Sequence, residues 1–138
     1  MGKEQGSALR KNVEIRAGGR CEYCHAPQAA CGYRFHLEHV VPTAKNGSDE
    51  IENRALACAA CNLAKGDRTT SIDPETGRTV ALFDPRTDAW EKHFHWDNDL
   101  SLIVGVTPEG RATVVTLDLN SGLRLDARRL WFNAGLLP

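Results

Sequence analysis

The sequence predicts a single α+β domain spanning residues 1–138. Three observations support this class. Segments with the helical spacing of apolar residues stand near both ends of the chain, and short segments rich in β-branched and aromatic residues lie between them. No stretch rich in glycine, serine and proline divides the chain. A length of 138 residues suits one domain with a modest hydrophobic core.

The first half of the chain is predicted to form a helix, a strand, a loop, a second core segment and a short helix. Ser7 is the expected N-cap of the first helix, and Gly18-Gly19 ends it. Pro42 ends the strand because it cannot donate a ladder hydrogen bond, and Gly66 closes the second helix. In chain order, these predicted segments are 7–19, 33–41, 43–50, 51–57 and 59–66.

The second half is predicted to be richer in strands and to pack onto the first half. The turn TPEGR (107–111) is expected to join the last two strands as a hairpin. The predicted strands are 80–83, a segment around 93–96, 100–106 and 112–119. A final helix is expected from Ser121 onward. Its predicted apolar face consists of Leu123, Ala127, Leu130, Trp131 and Ala134.

Composition excludes some classes of protein and leaves others open. Seventeen basic residues against 18 acidic ones give a formal net charge of −1. This balance argues against a protein that coats nucleic acid by charge, but it permits an enzyme that makes only transient phosphate contacts. The chain has no apolar run near the ~20 residues of a membrane span and no apolar N-terminal segment for export. We therefore expect a soluble, cytoplasmic protein with no membrane partner.

Four of the five cysteines form two CxxC pairs, CEYC and CAAC. Zinc prefers a tetrahedral set of thiolates, and each CxxC turn can present two sulfurs to one ion. A redox motif is the alternative for a single pair, but two pairs without a βαβ pattern favour a structural Zn²⁺. Its predicted ligands are Cys21, Cys24, Cys58 and Cys61. Cys31 has no partner in this pattern and is expected to be a small core residue.

The segment FHLEHVVP (35–42) combines an apolar strand with three titratable side chains. Burying His36, Glu38 and His39 without partners would cost free energy, so their presence in a core strand calls for a functional reason. Strand alternation places His36 and Glu38 on one face and His39 on the other.

The order CEYC, HLEHVVP, NGSDEIENRALACAACNLAKG resembles the four-cysteine HNH endonucleases. The resemblance covers about residues 16–68 and makes the chain similar to small stand-alone members, with asparagine in the third motif position (HNN). It implies a ββα-metal core between two zinc knuckles. Residues 69–138 would then form a packed, β-rich C-terminal extension with a terminal helix.

Site roles follow from this resemblance, residue by residue. His39 would be the general base, and Asn53 would hold the loop that orients it, so these two are the expected catalytic residues. Glu38 and Asn62 would bind a catalytic divalent ion, to which His36 could add an imidazole. Lys65 is a candidate for substrate binding.

The residue types agree with hydrolysis of a phosphodiester bond. A neutral imidazole can accept a proton from water at neutral pH. A carboxylate and an amide oxygen are hard ligands that suit Mg²⁺ or Mn²⁺. Glu38 stands where aspartate is common in the family, which gives a longer reach, and an added His36 ligand would extend the preference towards Ni²⁺ or Zn²⁺.

Each of these residues also has a structural explanation. Glu38 could pair with Arg34 or Arg54, and Asn53 and Asn62 could be helix or turn caps. Lys65 could interact with a helix end and have no role in binding phosphate. His93 and His95 could share a strand face and bind metal, but packing among Trp90, Phe94 and Trp96 is the favoured interpretation, and His25 is expected to be exposed and incidental. Arg124, Arg128 and Arg129 could follow a nucleic-acid backbone or form a solvated basic face.

The leading hypothesis is a metal-dependent endonuclease that nicks or cuts DNA and leaves 5′-phosphate and 3′-hydroxyl ends. The alternative is a zinc-stabilised nucleic-acid-binding module without activity, which would need the zinc knuckles but not the Glu38-His39 pair. A toxin, restriction or recombination fragment targeted by a partner is a third hypothesis. The oligomeric state, monomer or homodimer, stays open.

Overall fold

The structure, a computed structural model, describes residues 2–97 and 101–138. Within these residues it contains six α-helices and three separate two-stranded antiparallel sheets. The helices are α1 (Gly2–Arg16), α2 (Gln28–Cys31), α3 (Ala59–Lys65), α4 (Trp90–His93), α5 (Pro108–Thr116) and α6 (Gly122–Asn133). None of these helices is long and apolar enough to cross a membrane. The α+β class is therefore confirmed.

Six short strands form the three sheets. They are β1 (His36–His39), β2 (Arg54–Ala57), β3 (Thr70–Ile72), β4 (Thr79–Ala81), β5 (Phe94–Trp96) and β6 (Ile103–Gly105). Each pairs with its neighbour in the sequence order β1-β2, β3-β4 and β5-β6. In the first sheet Glu38 lies opposite Ala55, and Leu37 lies opposite Leu56.

The first sheet and α3 form the ββα unit that carries the candidate site. Local signals determine both ends of α3: the Cys58 sulfur accepts a hydrogen bond from the Cys61 amide at 3.4 Å, and Gly66 follows with a φ of 54°. The core beneath the unit contains Phe35, Val40 and the fully buried β2 residue Leu56. Helix α3 therefore lies where the sequence predicts it.

The first helix is longer than predicted. It begins at Gly2 rather than after an N-cap at Ser7, and it ends at Arg16 before the predicted Gly18-Gly19 stop. Ser7 is an exposed residue inside the helix. Serine has only a modest cost in a helix interior, so the residues around it can continue the helix past a plausible cap.

The predicted strand at 112–119 is wrong, because most of this segment belongs to α5. Thr107 caps the helix by accepting a hydrogen bond from the Gly110 amide at 3.0 Å, and Pro108 occupies the first turn. The expected hairpin turn is therefore a helix start. A Cβ at Gly110 would lie 2.2 Å from the His93 carbonyl oxygen, so α5 packs closely against the end of α4. Tertiary packing overrides the β propensity of the TVV run.

The strand predicted over 100–106 is shorter in the structure. Strand β6 begins at Ile103, and Leu100 lies outside the described residues. The predicted strand around 93–96 is also shorter in the structure. His93 is the last residue of α4, and β5 consists of the three residues that follow it.

The terminal helix forms where it is predicted, with Ser121 at the N-cap position, but only part of its predicted apolar face is right, since Trp131 packs against the core and two leucines do not. Leu123 is 84% exposed and Leu130 is 69% exposed, whereas Arg128 is 1% exposed. Arg128 can be buried because its guanidinium donates to backbone carbonyl groups of Ser101 and Leu119. Polar pairing rather than hydrophobic periodicity thus fixes the rotation of α6.

Candidate active site and metal centre

Four buried cysteine sulfurs converge at one point, as the sequence predicts. The Sγ atoms of Cys21, Cys24, Cys58 and Cys61 all lie within 4.8 Å of one another. Those of Cys24 and Cys58 are 3.7 Å apart, and tetrahedral zinc with bonds of about 2.3 Å would separate its sulfurs by about 3.8 Å. The set therefore fits a structural zinc. Cys31 lies outside the set and packs, half-buried, against the core.

A polar cleft of about 300 Å³ opens beside the first sheet. His36, Glu38 and His39 line it from β1, and Asn62 lines it from α3. Strand alternation predicts opposite faces for Glu38 and His39. The cleft nevertheless receives both, because it lies where β1 ends and the chain turns at Pro42 and Thr43, which also line it.

Glu38 is held in place by buried polar groups. Its side chain is 5% exposed, and its Oε1 accepts a hydrogen bond from the Tyr23 hydroxyl at 2.5 Å and lies 3.5 Å from the Lys65 ammonium. The sequence alternatives, Arg34 and Arg54, are not its ion-pair partners among the described residues. Burial raises the pKa of Glu38, while Lys65 and Tyr23 oppose that shift.

The second carboxylate oxygen of Glu38 is the feature that fits a metal. Oε2 is buried and has no hydrogen-bond partner in the described part of the chain. An unpaired buried carboxylate oxygen is costly, and a cation satisfies it. The amide of Asn62 lines the same cleft and would add a second oxygen ligand. This donor set fits an oxygen-preferring divalent ion.

His39 has a partner that the sequence analysis did not identify. Its Nε2 lies 2.7 Å from Oδ1 of Asp49, whose side chain is 76% exposed. This hydrogen bond lowers the pKa of the Asp49 carboxyl group, and desolvation opposes the shift. Asp49 lies in the predicted loop 43–50, where no periodic pattern indicates which polar side chain faces the histidine.

Asn53 fastens the loop that follows β1. Its Oδ1 accepts from the Val41 amide at 2.9 Å, and its Nδ2 donates to the carbonyl oxygens of Val41 at 2.9 Å and Ser48 at 2.8 Å. Gly47 lies so close that a Cβ there would come within 1.7 Å of the Val41 oxygen. The loop that carries Asp49 is therefore held across both of its ends by one side chain.

Comparison with known families gives a match over the same segment. The family model described as HNH endonuclease matches residues 21–68. Residues 21–68 therefore form an HNH domain. The matched segment contains both CxxC pairs and every residue of the cleft described above. No curated protein and no solved structure matches the chain.

Lys65 of the HNH domain does not face the cleft. It is 2% exposed, and its ammonium donates to the Val40 carbonyl oxygen at 2.9 Å beside Glu38. A phosphate contact would require it to leave both partners. His36, in contrast, is exposed on β1 at the cleft.

Outside the HNH domain, His93 packs against Phe94 as the favoured interpretation predicts, whereas His95 does not pack in this way. His93 belongs to α4 and is buried, with Nδ1 2.6 Å from the Thr107 hydroxyl, while His95 is exposed on β5, so the two do not share a strand face. His25, within the domain, is not exposed: its ring stacks on Trp90 at 4.1 Å between ring centres, and burial lowers its pKa.

The arginines of α6 do not form one solvated basic face. Arg128 is buried, and Arg124 reaches the cysteine cluster, where its Nη2 lies 2.9 Å from the Cys61 sulfur. Arg129 alone of the three is exposed, beside Asp126. Two of the three side chains are thus directed into the fold.

Proposed function

We propose that this chain is a metal-dependent endonuclease that hydrolyses phosphodiester bonds in DNA. One observation carries the proposal: His39, Glu38 and Asn62 line one polar cleft of the HNH domain, and Oε2 of Glu38 is buried without a hydrogen-bond partner in the described part of the chain. A nucleic-acid-binding module would have no use for such an oxygen, whose burial is costly without a cation.

His39 is the proposed general base. Asp49 carries a carboxylate that can only accept a hydrogen bond, so the proton of the imidazole resides on Nε2 and the lone pair on Nδ1. This tautomer leaves Nδ1 to take a proton from water. The water oxygen then bonds to phosphorus in line with the bond to the 3′ oxygen, and that bond breaks. The departing 3′ oxygen takes a proton from solvent, which leaves 5′-phosphate and 3′-hydroxyl ends.

Asn53 is the proposed catalytic residue that acts by positioning. It binds both Val41 and Ser48, which flank the turn between His39 and Asp49. Fixing this loop keeps the imidazole and its carboxylate partner in register, which removes part of the entropic cost of reaching the transition state.

Glu38 and Asn62 are the proposed ligands of the catalytic divalent ion, with His36 as a further candidate. When bound, Mg²⁺ or Mn²⁺ would stabilise negative charge on the phosphate and the departing oxygen. An imidazole from His36 would extend this preference towards Ni²⁺. Glu38 is fixed for this task because Tyr23 holds its other oxygen.

Cleavage of supercoiled plasmid tests the proposal. Zinc-loaded protein should nick the plasmid with Mg²⁺, Mn²⁺ or Ni²⁺ and not with EDTA, and Glu38→Gln should lose most of this activity at the same metal concentration. Glu52→Gln is the control, since this carboxylate is exposed and does not line the cleft. Plasmid that stays intact with every metal, yet is bound by the wild type, would replace the proposal with a binding module.

A parallel assay with single-stranded RNA separates the substrates, because the cleft residues alone do not distinguish them. Conversion to linear plasmid without accumulation of nicked circles would indicate paired sites in a homodimer. Nicked circles alone are the expectation for a monomer with one cleft.

A further inference from the structure

A side chain from outside the HNH domain reaches the cysteine cluster. Arg124, near the start of α6, places Nη2 2.9 Å from the Cys61 sulfur and 3.9 Å from the Cys58 sulfur. Its Nη1 donates to the carbonyl oxygens of Leu117 at 2.8 Å and Asp118 at 2.9 Å. The guanidinium is therefore fixed on one side by backbone and directed at sulfur on the other.

Charge explains why a cation is needed at this place. One Zn²⁺ and four thiolates carry a net charge of −2 (+2 − 4), and all four cysteines are buried. A buried charge is costly unless a partner of opposite sign and hydrogen-bond donors accompany it. The planar guanidinium supplies both, because it is always protonated and presents several N–H groups.

We propose that Arg124 is an outer-sphere partner of the zinc centre, through which the C-terminal helix α6 slows the loss of zinc from the HNH domain. The N–H groups directed at Cys61 and Cys58 draw charge from the two sulfurs of the second knuckle. Less electron-rich sulfurs are attacked more slowly by protons and competing ligands, and the metal leaves more slowly.

Arg128, one turn further along α6, separates this role from simple docking of the helix. It is more deeply buried than the partly exposed Arg124, and its hydrogen bonds go to Ser101 O at 2.5 Å, to Asn120 Oδ1 at 3.1 Å and to the Leu119 carbonyl rather than to sulfur. Loss of either arginine removes a guanidinium and its hydrogen bonds to backbone carbonyl groups. Only loss of Arg124 removes the contacts with the thiolates.

The test measures the rate at which zinc-loaded protein transfers its metal to an excess of a chromophoric chelator. Arg124→Gln should release zinc about 10–100-fold faster than wild type, the range typical for loss of an outer-sphere partner. Arg124→Lys keeps the charge but not the two-sided fork, so its rate should lie between the two. Arg128→Gln, compared at the same interval below its own Tm, should release zinc at the wild-type rate.

Two results would overturn the proposal: a wild-type release rate in both Arg124 variants, or an equal acceleration in Arg128→Gln at matched distance from Tm. If Arg124→Gln does not fold, Arg124→Lys decides alone, because faster release than wild type supports the proposal and an unchanged rate overturns it. The readout is metal release, so it does not depend on the proposed nuclease activity.

Discussion

At the scale of single residues, the first zinc knuckle and the candidate active site share a side chain. Tyr23 stands between the zinc ligands Cys21 and Cys24, and its hydroxyl holds Oε1 of Glu38. The backbone of Tyr23 is fixed in turn, since its carbonyl oxygen accepts from the indole of Trp90 at 2.9 Å. The proposed metal ligand is thus oriented from the zinc side, which leaves Oε2 for the catalytic ion.

Tyr23→Phe should weaken Mn²⁺ binding by roughly tenfold, because ligands that lose an outer-sphere hydrogen bond bind metal 10–100-fold less tightly. Electron paramagnetic resonance of free Mn²⁺ measures this affinity directly, with zinc content checked in parallel. Tyr33→Phe is the matched control, since the hydroxyl of Tyr33 accepts from the Ala59 amide and does not contact Glu38. Equal Mn²⁺ affinity in wild type and Tyr23→Phe would exclude this role for the hydroxyl.

Asp49 allows a second test at this scale. Asp49→Ala removes the acceptor that orients the His39 ring, so nicking should slow, by less than about tenfold because solvent screens a pair this exposed. Asp49→Asn retains an acceptor oxygen and should lose less. Plasmid nicking rates at saturating Mn²⁺ give the comparison, and Asp49→Ala with the wild-type rate would mean that the pair has no part in the reaction.

At the scale of elements, the sequence predicts those whose ends carry local chemistry. Helix α3 is predictable because Cys58 caps it and Gly66 ends it, whereas β1 forms within the predicted strand 33–41 but covers only His36–His39 and ends before Pro42 is reached. The same local patterns indicate that the cysteines and the polar residues of β1 and α3 gather at two sites. Where a short pattern contains the residues of a site, the sequence is sufficient to predict that site.

Elements fixed by distant contacts could not be predicted in this way. The TVV run of α5 has strand propensity, and only its cap at Thr107 and its packing against the end of α4 favour a helix. The rotation of α6 follows from the buried guanidinium of Arg128, which hydropathy treats as a surface group. Asp49 and Tyr23 were missed for a related reason: their partners are 10 and 15 residues away in the sequence.

Gly110 tests the packing of α5. A Cβ at Gly110 would come within 2.2 Å of the His93 carbonyl oxygen, so Gly110→Ala should lower stability by about 1–3 kcal/mol through overpacking. Gly122→Ala is the control, because nothing lies within 4 Å of a Cβ there and alanine favours the helix. Thermal unfolding followed by circular dichroism compares the two, and an unchanged Tm in Gly110→Ala would contradict the close packing.

At the scale of the whole molecule, the extension beyond the HNH domain contacts the zinc region at several points. Trp90 donates to Tyr23, Arg86 pairs with Glu22 of the same knuckle, and Arg124 reaches Cys61. These contacts join residues of the extension to the first zinc knuckle and to the second. They also indicate that residues around the zinc centre contact both halves of the chain.

Removal of zinc should therefore unfold more than the HNH domain. A structural zinc contributes on the order of 10 kcal/mol to folding, about as much as the whole stability of a small domain. After chelation at neutral pH, the near-ultraviolet circular dichroism of the buried Trp90 should vanish together with the helical signal, and added Zn²⁺ should restore both. A zinc-free protein that keeps both signals and its Tm would show that the core does not depend on the metal.

The central claim is that His39 activates water in the cleft of the HNH domain. The most direct test is the single-turnover rate of plasmid nicking by zinc-loaded His39→Ala with saturating Mn²⁺, beside wild type and His95→Ala, whose imidazole is exposed on β5. Loss of a general base costs about 10²–10⁴-fold, so we expect that loss in His39→Ala with full zinc content and an unchanged Tm, and the wild-type rate in His95→Ala. A folded His39→Ala that nicks at the wild-type rate would contradict the claim.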